Sequence, residues 1–302
     1  MNNSKKSPPT TEYSSKMGLL KVGVDGSHYE RISIYRIILR IQDGKEKNLS
    51  PPLNIRCKKE DWVVFMGGLT YFDFLAKFGV GGAHPGGFIL TKDILSSENI
   101  SSNSYVLDAG CGTGQTTAYL YQQYKAKVAG LEINPIMLDK AKSRFQTQQL
   151  PIQLIAGSVE SIPFEDNTFD FVLSESVLAF VDKPKALSEF YRVLKKGGRL
   201  IANEMTINKK LRQKEELEII KFYDLDSLLQ EKDWNQLLAA AGFQMINIKK
   251  EKQAISQGNH SPEFNFSHNF EPELFDVLNK HGNIVVKYHD ILSYRILTGS
   301  KL

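Results

Sequence analysis

The chain has 302 residues, 41% of them apolar and 24% charged, an ordinary composition for one large globular domain or about two smaller units. A chain of this length buries roughly three quarters of the surface its unfolded form exposes, which excludes a disulfide-stapled miniprotein, a collagen-like chain and a wholly disordered one. Its 38 Lys and Arg against 34 Asp and Glu leave a formal charge of +4, too mild for an electrostatic footprint on nucleic acid.

Residues 1–16 are Ser, Thr, Lys and Pro with almost nothing apolar, so the expectation is a floppy tail rather than a secretory signal. No apolar run approaches the ~18 to 20 residues that cross a bilayer, and a soluble cytoplasmic protein is expected. Its two cysteines, Cys57 and Cys111, stand far apart in no metal-ligand spacing, which suits a reducing compartment and implies neither a disulfide nor a metal site. Nothing in the sequence sets an oligomeric state.

After a turn-like Gly23 to Ser27, the Ile- and Tyr-rich segment Tyr29 to Gln42 fits helix and strand almost equally and is read as helix. Breaks at Asp43-Gly44 and Ser50-Pro51-Pro52 precede Lys58 to Phe78, a broken, aromatic-rich helical stretch carrying Trp62, Phe65, Tyr71, Phe72, Phe74 and Phe78. Residues 17–84 are therefore expected to form an N-terminal cap on a domain spanning 85–302. From Ser104 onward short apolar strands alternate with amphipathic helices. The strands are expected at 105–109, 127–132, 152–156, 169–174 and 199–204, and the helices at 116–124, 135–146 and 185–194. Further helices are expected at 209–223, 227–241 and 272–281, with strands at 243–249 and 288–300. This alternation predicts an α/β, doubly wound, mostly parallel seven-stranded sheet.

Asp108-Ala109-Gly110-Cys111-Gly112-Thr113-Gly114 falls where the first core strand turns into a helix. Glycines there let the backbone bend and approach a ligand, and open α/β sheets bind ligands at the carboxyl ends of strands. Glu132, followed by Ile133, ends the next strand 22 positions after Gly110, an offset that suits acceptance of hydrogen bonds from ribose hydroxyls. A dinucleotide fingerprint would demand Gly or Ala at 115, where this chain has Gln, and that argues against an NAD-dependent oxidoreductase.

With Asp-x-Gly-x-Gly-x-Gly in its place, the chain resembles the class I S-adenosylmethionine-dependent methyltransferases of small-molecule type. Three further segments carry the resemblance over about 104–204. Ala156 to Phe164 is similar to G-D-A-E-x-L-P-F, with Ser158 where Asp is usual; Phe169 to Ser176 is similar to the fourth strand; Tyr191 to Leu200 is similar to R-V-L-K-P-G-G-x-L. The resemblance implies S-adenosylmethionine as cofactor and S-adenosylhomocysteine as product. It implies the methionine end at Asp108, Gly110, Cys111, Gly112 and Gly114, the ribose at Glu132 with Ile133 beside it, and the adenine at Ser158 and Val159. Ser174 stands at the end of the fourth strand, beside the reactive methyl.

Methyl transfer is an in-line displacement that needs a base only for a protonated acceptor. His84, in a Gly81 to Phe88 segment ahead of a helix expected near Thr91, Glu175 and Glu204 are the candidate bases. For each a plain alternative stands: His84 capping a turn, Glu175 accepting backbone N–H groups, and Glu204 pairing with the basic 209–214 segment. Histidines 260, 268, 281 and 289 read as surface residues. Tyr71 is the candidate acceptor-binding aromatic. Ser174-Glu175-Ser176-Val177 lacks the Asn/Asp-Pro-Pro-aromatic turn of base-amine methylation, and neither cysteine suits pyrimidine C5 chemistry. The acceptor implied is a small molecule or biosynthetic intermediate, with an RNA or peptide methyltransferase and a non-catalytic nucleoside-cofactor-binding module as the alternatives.

Overall fold

The structure, a computed structural model, describes residues 20–24, 28–32, 68–250, 262–269 and 271–302. The tail, the helical reading of 33–42, Cys57, Trp62, Phe65 and His260 lie outside the described residues. Two compact units divide the chain, one holding β1 (Leu20–Val24) and β2 (His28–Ile32) and the other every described residue from 68 onward. The cap residues 71–84 therefore belong to the same unit as the sheet. β1 and β2 pair antiparallel, Leu20 opposite Ile32 and Val24 opposite His28. This corrects the helical reading for residues 29–32: a run of Tyr and Ile with a neighbouring strand three residues away pairs locally, as β-branched and aromatic residues favour.

In the larger unit α1 (Tyr71–Phe78) starts from a capping box, with Thr70 Oγ1 accepting from Asp73 N at 3.1 Å and the Asp73 carboxylate accepting from Thr70 N. It stops at Gly79 in the left-handed conformation. After β3 (Val80–Gly81), α2 (Gly87–Ser96) begins four residues earlier than expected. The positive φ of Gly86 turns the chain directly into that helix.

The core then follows the expected alternation: β4 (Tyr105–Ala109), α3 (Gln115–Tyr124), β5 (Lys127–Glu132), α4 (Pro135–Thr147), β6 (Gln153–Ala156), β7 (Phe169–Glu175), α5 (Lys183–Val193) and β8 (Leu194–Ile207). α6 (Gln213–Tyr223), α7 (Glu231–Ala240), β9 (Gln244–Lys249), β10 (Glu263–Phe264), α8 (Leu274–Lys287) and β11 (Leu292–Ser300) complete it. The large sheet has the order β6-β5-β4-β7-β8-β11-β9. β4 to β8 run parallel, and β11 runs antiparallel to both β8 and β9.

Alternation along β4 shows how both faces become buried. Val106 packs with Leu95 of α2 and Leu120 of α3, whereas Leu107 packs with Phe190 of α5 and Trp234 of α7. The strand order reverses beside β4, so the crevice at its carboxyl end is where such a sheet accepts a ligand. α1 and α8 pack through Phe74, Phe78 and Leu274, and Met137 of α4 joins this cluster, which brings α1 over the first turn of α4. No helix among the described residues is long and apolar enough to cross a membrane.

Candidate active site

The loop between β4 and α3 is tied to the next strand by Gly110 N and Cys111 N, which donate to Leu131 O at 2.8 and 3.0 Å. Gly110, Gly112 and Gly114 all have positive φ, at 83°, 54° and 74°. Their surroundings differ. A Cβ on Gly110 would lie 2.3 Å from Val177 Cγ2, and one on Gly114 2.6 Å from the Phe145 ring. One on Gly112 would meet nothing nearer than Met137 Sδ at 3.9 Å. Two of the glycines thus serve the protein's own close packing, and open space lies only above Gly112. Cys111 is buried, with burial pushing its thiol pKa up.

Glu132, buried at the end of β5, accepts from Gly112 N at 2.8 Å, Ile133 N at 2.9 Å and Asn134 N at 2.8 Å. It organises the glycine loop and the entry to α4 together, a task its spacing alone did not reveal. Next to it Ile133 is 70% exposed, an apolar side chain held out at the mouth of the crevice. Asp108 is buried and accepts from Thr117 Oγ1 at 2.5 Å. Its pKa is raised to about 7, first by burial and then by the charges of Glu175 and Glu132. Asp108 thus lies within electrostatic reach of both Glu175 and Glu132, and none of the three has a Lys or Arg ion pair among the described residues. The site is therefore electrically suited to a cation.

His84 and Glu175 come together, with Nε2 of the imidazole 3.5 Å from Glu175 Oε1. Thr91 Oγ1 donates to the same oxygen at 2.6 Å, and Thr116 Oγ1 to Oε2 at 2.9 Å. Glu175 thus joins the cap loop, α2 and the first turn of α3. Asn203, which the sequence did not single out, donates to Pro85 O at 2.9 Å and lies 3.3 Å from His84 Nδ1. Its signal was its place beside Glu204 in an expected core strand, where it pairs with Glu175 at the end of β7. Glu204 makes no ion pair with the 209–214 segment among the described residues. Instead, fully buried, it accepts at Oε1 from Ser174 Oγ at 3.2 Å and from Val177 N and Leu178 N at 3.1 Å each. Burial raises its pKa to about 7, and its Oε2 has no hydrogen-bond partner among the described residues. Ser174 is fully buried, its hydroxyl turned to Glu204. Val159 is buried in the core, and half-buried Ser158 accepts from Glu160 N.

Two features beside β3 and α1 escaped sequence reasoning. Strand β10 pairs with β3 and places Glu263 where Gln115 Nε2 donates to it at 2.7 Å and Arg144 Nη2 at 2.7 Å. Arg144 Nε also donates to Thr113 O, so this strap is fastened to the glycine loop itself. Around Tyr71, the His281 ring stacks at 5.2 Å and Tyr223 stands edge-on at 4.9 Å. His281 is thus packed among aromatic rings rather than lying free on the surface. Polar sequence neighbours hid this, because the contact is made across three helices.

Comparison with known proteins agrees with this geometry. Residues 107–202 match the family described as a methyltransferase domain. A Bacillus subtilis (strain 168) protein, the uncharacterized methyltransferase YodH, is 36% identical over 232 residues, covering 76% of this chain and 99% of that protein. A demethylmenaquinone methyltransferase of Lactiplantibacillus plantarum is 38% identical over 118 residues, which is 37% of this chain and 50% of that enzyme. Among solved structures, a Haemonchus contortus phosphoethanolamine N-methyltransferase 2 in complex with S-adenosyl-L-methionine shares the fold at a TM-score of 0.61 and 21% identity, over 76% of this chain and 56% of that one. With the strand order, the loop and the full-length relative in agreement, the chain belongs to the class I S-adenosylmethionine-dependent methyltransferases.

Proposed function

We propose that this enzyme transfers the methyl group of S-adenosylmethionine to an O, N, S or activated C atom of a small molecule. The single observation that carries the cofactor assignment is the crevice at the carboxyl ends of β4 and β5. There, three carboxyl groups without a Lys or Arg ion-pair partner among the described residues, open space above Gly112 and the exposed Ile133 come together. That donor set fits a ligand with a cationic end, a ribose and an apolar base. Asp108 and the glycine loop, including Cys111, would hold the methionine end, and Glu132 has one lone pair, on Oε2, left for a ribose hydroxyl. Ile133, Ser158 and Val159 would border the adenine, with Ser174 behind the turn that follows β7.

Bound S-adenosylmethionine supplies a sulfonium methyl, an electrophile open to in-line displacement. The chain's own work is to hold the acceptor atom at roughly 3 to 3.5 Å from that methyl and to exclude water. α1 and the strap, with Tyr71 as an acceptor wall, serve that purpose. Both ring nitrogens of His84 are already engaged, by Asn203 and Pro85 on one side and by Thr91 and Glu175 on the other. On this reading His84 and Glu175 fasten the cap loop, and Glu204 holds the 177–180 turn that presses on Gly110.

Calorimetric titration with S-adenosylhomocysteine and NAD tests the reading. The expected result is binding of the first alone, weakened several-fold by Ile133→Asp, which puts a charge against the base. Binding of NAD in preference would refute it.

A further inference from the structure

Away from the glycine loop, α6 and α8 carry matching stripes that begin and end in lysine. On α6, Lys214, Leu217, Glu218 and Lys221 follow at i, i+3, i+4 and i+7, and on α8, Lys280, Asn283, Ile284 and Lys287 repeat that spacing, so each set shares one helix face. The two helices run antiparallel, because Glu218 meets Lys287 and Tyr288 whereas Tyr223, further along α6, meets His281. Ile219, Tyr223, Ile284 and Tyr288 pack together in the core of this contact. Between the stripes lies a cavity of about 400 Å³, lined by Lys221, Phe222, Lys280, Asn283 and Ile284 and by the Glu218–Lys287 pair. That is the size of a small-molecule site.

The charges around this cavity are unevenly matched. Glu218 is engaged twice, accepting from Lys287 Nζ at 2.6 Å and from Tyr288 Oη at 2.8 Å. Those bonds hold its carboxyl below the ordinary range, and the charges of Lys287 and Lys214 add to the effect. Lys221 and Lys280 have no ion-pair or hydrogen-bond partner among the described residues, in contrast to Lys77, Lys183 and Lys195, each of which meets a carboxylate. Two uncompensated ammonium groups thus share one concavity with the Phe222 ring and the buried Ile284. Such a set matches a doubly charged anion joined to an apolar body. A phosphate monoester carries close to two negative charges near neutral pH and has three acceptor oxygens, enough for Lys221, Lys280 and the Asn283 amide together. A carboxylate offers one charge and two oxygens. The concave form and small volume suit a soluble molecule better than the broad face of a bilayer.

We propose that the cavity between α6 and α8 is a second ligand site, and that it takes a soluble phosphate monoester on an aromatic or hydrocarbon body, the phosphate bridging Lys221 and Lys280 and the body lying against Phe222 and Ile284. This goes beyond the methyltransferase reading and does not depend on it, since none of the lining residues belongs to the proposed cofactor site. A bound phosphate ties α6 to α8 by charge. Through Tyr223 and His281 those same helices pack on Tyr71 of α1, so occupancy also tightens the support of α1.

The test is a calorimetric titration of the full chain with phenyl phosphate, inorganic phosphate and benzoate, together with sedimentation against vesicles of phosphatidylcholine and phosphatidic acid. The expected result is that phenyl phosphate binds at one site, more tightly than inorganic phosphate, which lacks the apolar body, and than benzoate, which lacks the second charge. Lys221→Gln and Lys280→Gln together should weaken phenyl phosphate about tenfold or more. Lys209→Gln and Lys210→Gln, which remove the same charge from exposed positions just before α6, should leave it within about twofold. S-adenosylhomocysteine should bind equally to all three proteins and should not displace phenyl phosphate. Both pairs of substitutions fall on exposed side chains, and thermal melts confirm that the variants fold. No phenyl phosphate binding, equal losses in the two double variants, displacement by S-adenosylhomocysteine, or sedimentation with the vesicles in place of phenyl phosphate binding would overturn the proposal. Phenyl phosphate binding that depends on Lys221 and Lys280, in a protein that fails to bind S-adenosylhomocysteine, would support this site and overturn the cofactor reading alone.

Discussion

Glu132→Ala is the substitution whose effect the structure defines most sharply. The wild-type carboxylate accepts from three backbone N–H groups at 2.8 to 2.9 Å, those of Gly112, Ile133 and Asn134. Removing it strands all three donors at once. A hydrogen bond to a carboxylate contributes about 1.5 to 3 kcal/mol when its loss leaves a buried donor unpaired, but water entering the space left by the side chain recovers part of that. About 1 kcal/mol for each donor gives a loss near 3 kcal/mol. In a unit of more than 200 residues that corresponds to a fall in Tm of roughly 6 to 12 °C. Glu132→Gln keeps one accepting oxygen but turns an NH2 against a backbone donor, so it should fall between the two. On the proposed placement a ribose contact is lost in addition, weakening S-adenosylhomocysteine by about 1.5 to 3 kcal/mol. Melting curves of the three proteins with and without that ligand read both effects. An alanine variant melting within about 1 °C of wild type would refute the organising role of the carboxylate. A lower melting point with unaltered ligand affinity would refute its place at the ribose.

Other substitutions probe the surroundings of the loop. Gly110→Ala should cost about 2 to 3 kcal/mol, from its positive φ and the Val177 contact together, and adding Val177→Ala should return the contact part only; full recovery in urea denaturation would show that backbone strain contributes nothing. Glu263→Ala removes the acceptor of Gln115 and Arg144 and should speed amide exchange at Val80–Gly81 and Glu263–Phe264, with under about 1 kcal/mol change in overall stability because the carboxylate is well exposed. Unchanged exchange would mean that the strap is held by something else. The pKa of Glu204 is raised from 4.5 to about 7, so the native state binds the proton more tightly than the unfolded one. Its contribution is present below the unfolded value, is lost as pH rises to about 7, and amounts to about 3 kcal/mol. Glu204→Gln, a stand-in for the protonated acid, should flatten that part of the stability profile, and an identical slope in both proteins would contradict it.

The core strands were legible because each is an apolar run of four to seven residues between turn residues, and because strands buried on both faces need no partner to announce themselves. β4 and β5 begin and end at the expected residues. At β8 the reading was short: the strand runs from Leu194, and the pairing with β7 slips around Lys195–Gly198, where Phe169 faces Leu194 but Phe171 faces Arg199. Lys-Lys-Gly-Gly carries turn chemistry, and only the neighbouring strand shows that the turn is a bulge within the ladder. Among the residues of the proposed site and its surroundings, Asp108, the glycines and Glu132 were visible by their spacing along strand–turn–helix units. Asn203, Glu263, Tyr223 and His281 were not, since each acts through a partner between 58 and 148 positions away.

The amino-acid sequence by itself therefore determined the fold class and the place of the glycine loop, because both depend on local periodicity and on glycines at fixed offsets. Tertiary structure alone decided what those residues touch. It assigned Gly110 and Gly114 to packing, gave Glu132 three backbone donors, made Glu204 a buried support rather than a surface ion pair, and drew His281 into an aromatic cluster. The physical reason is one of range. Hydrogen-bonding periodicity is written along neighbouring residues, whereas burial, which sets the charge state and the partners of every polar group in the crevice, exists only once distant helices have closed over the sheet.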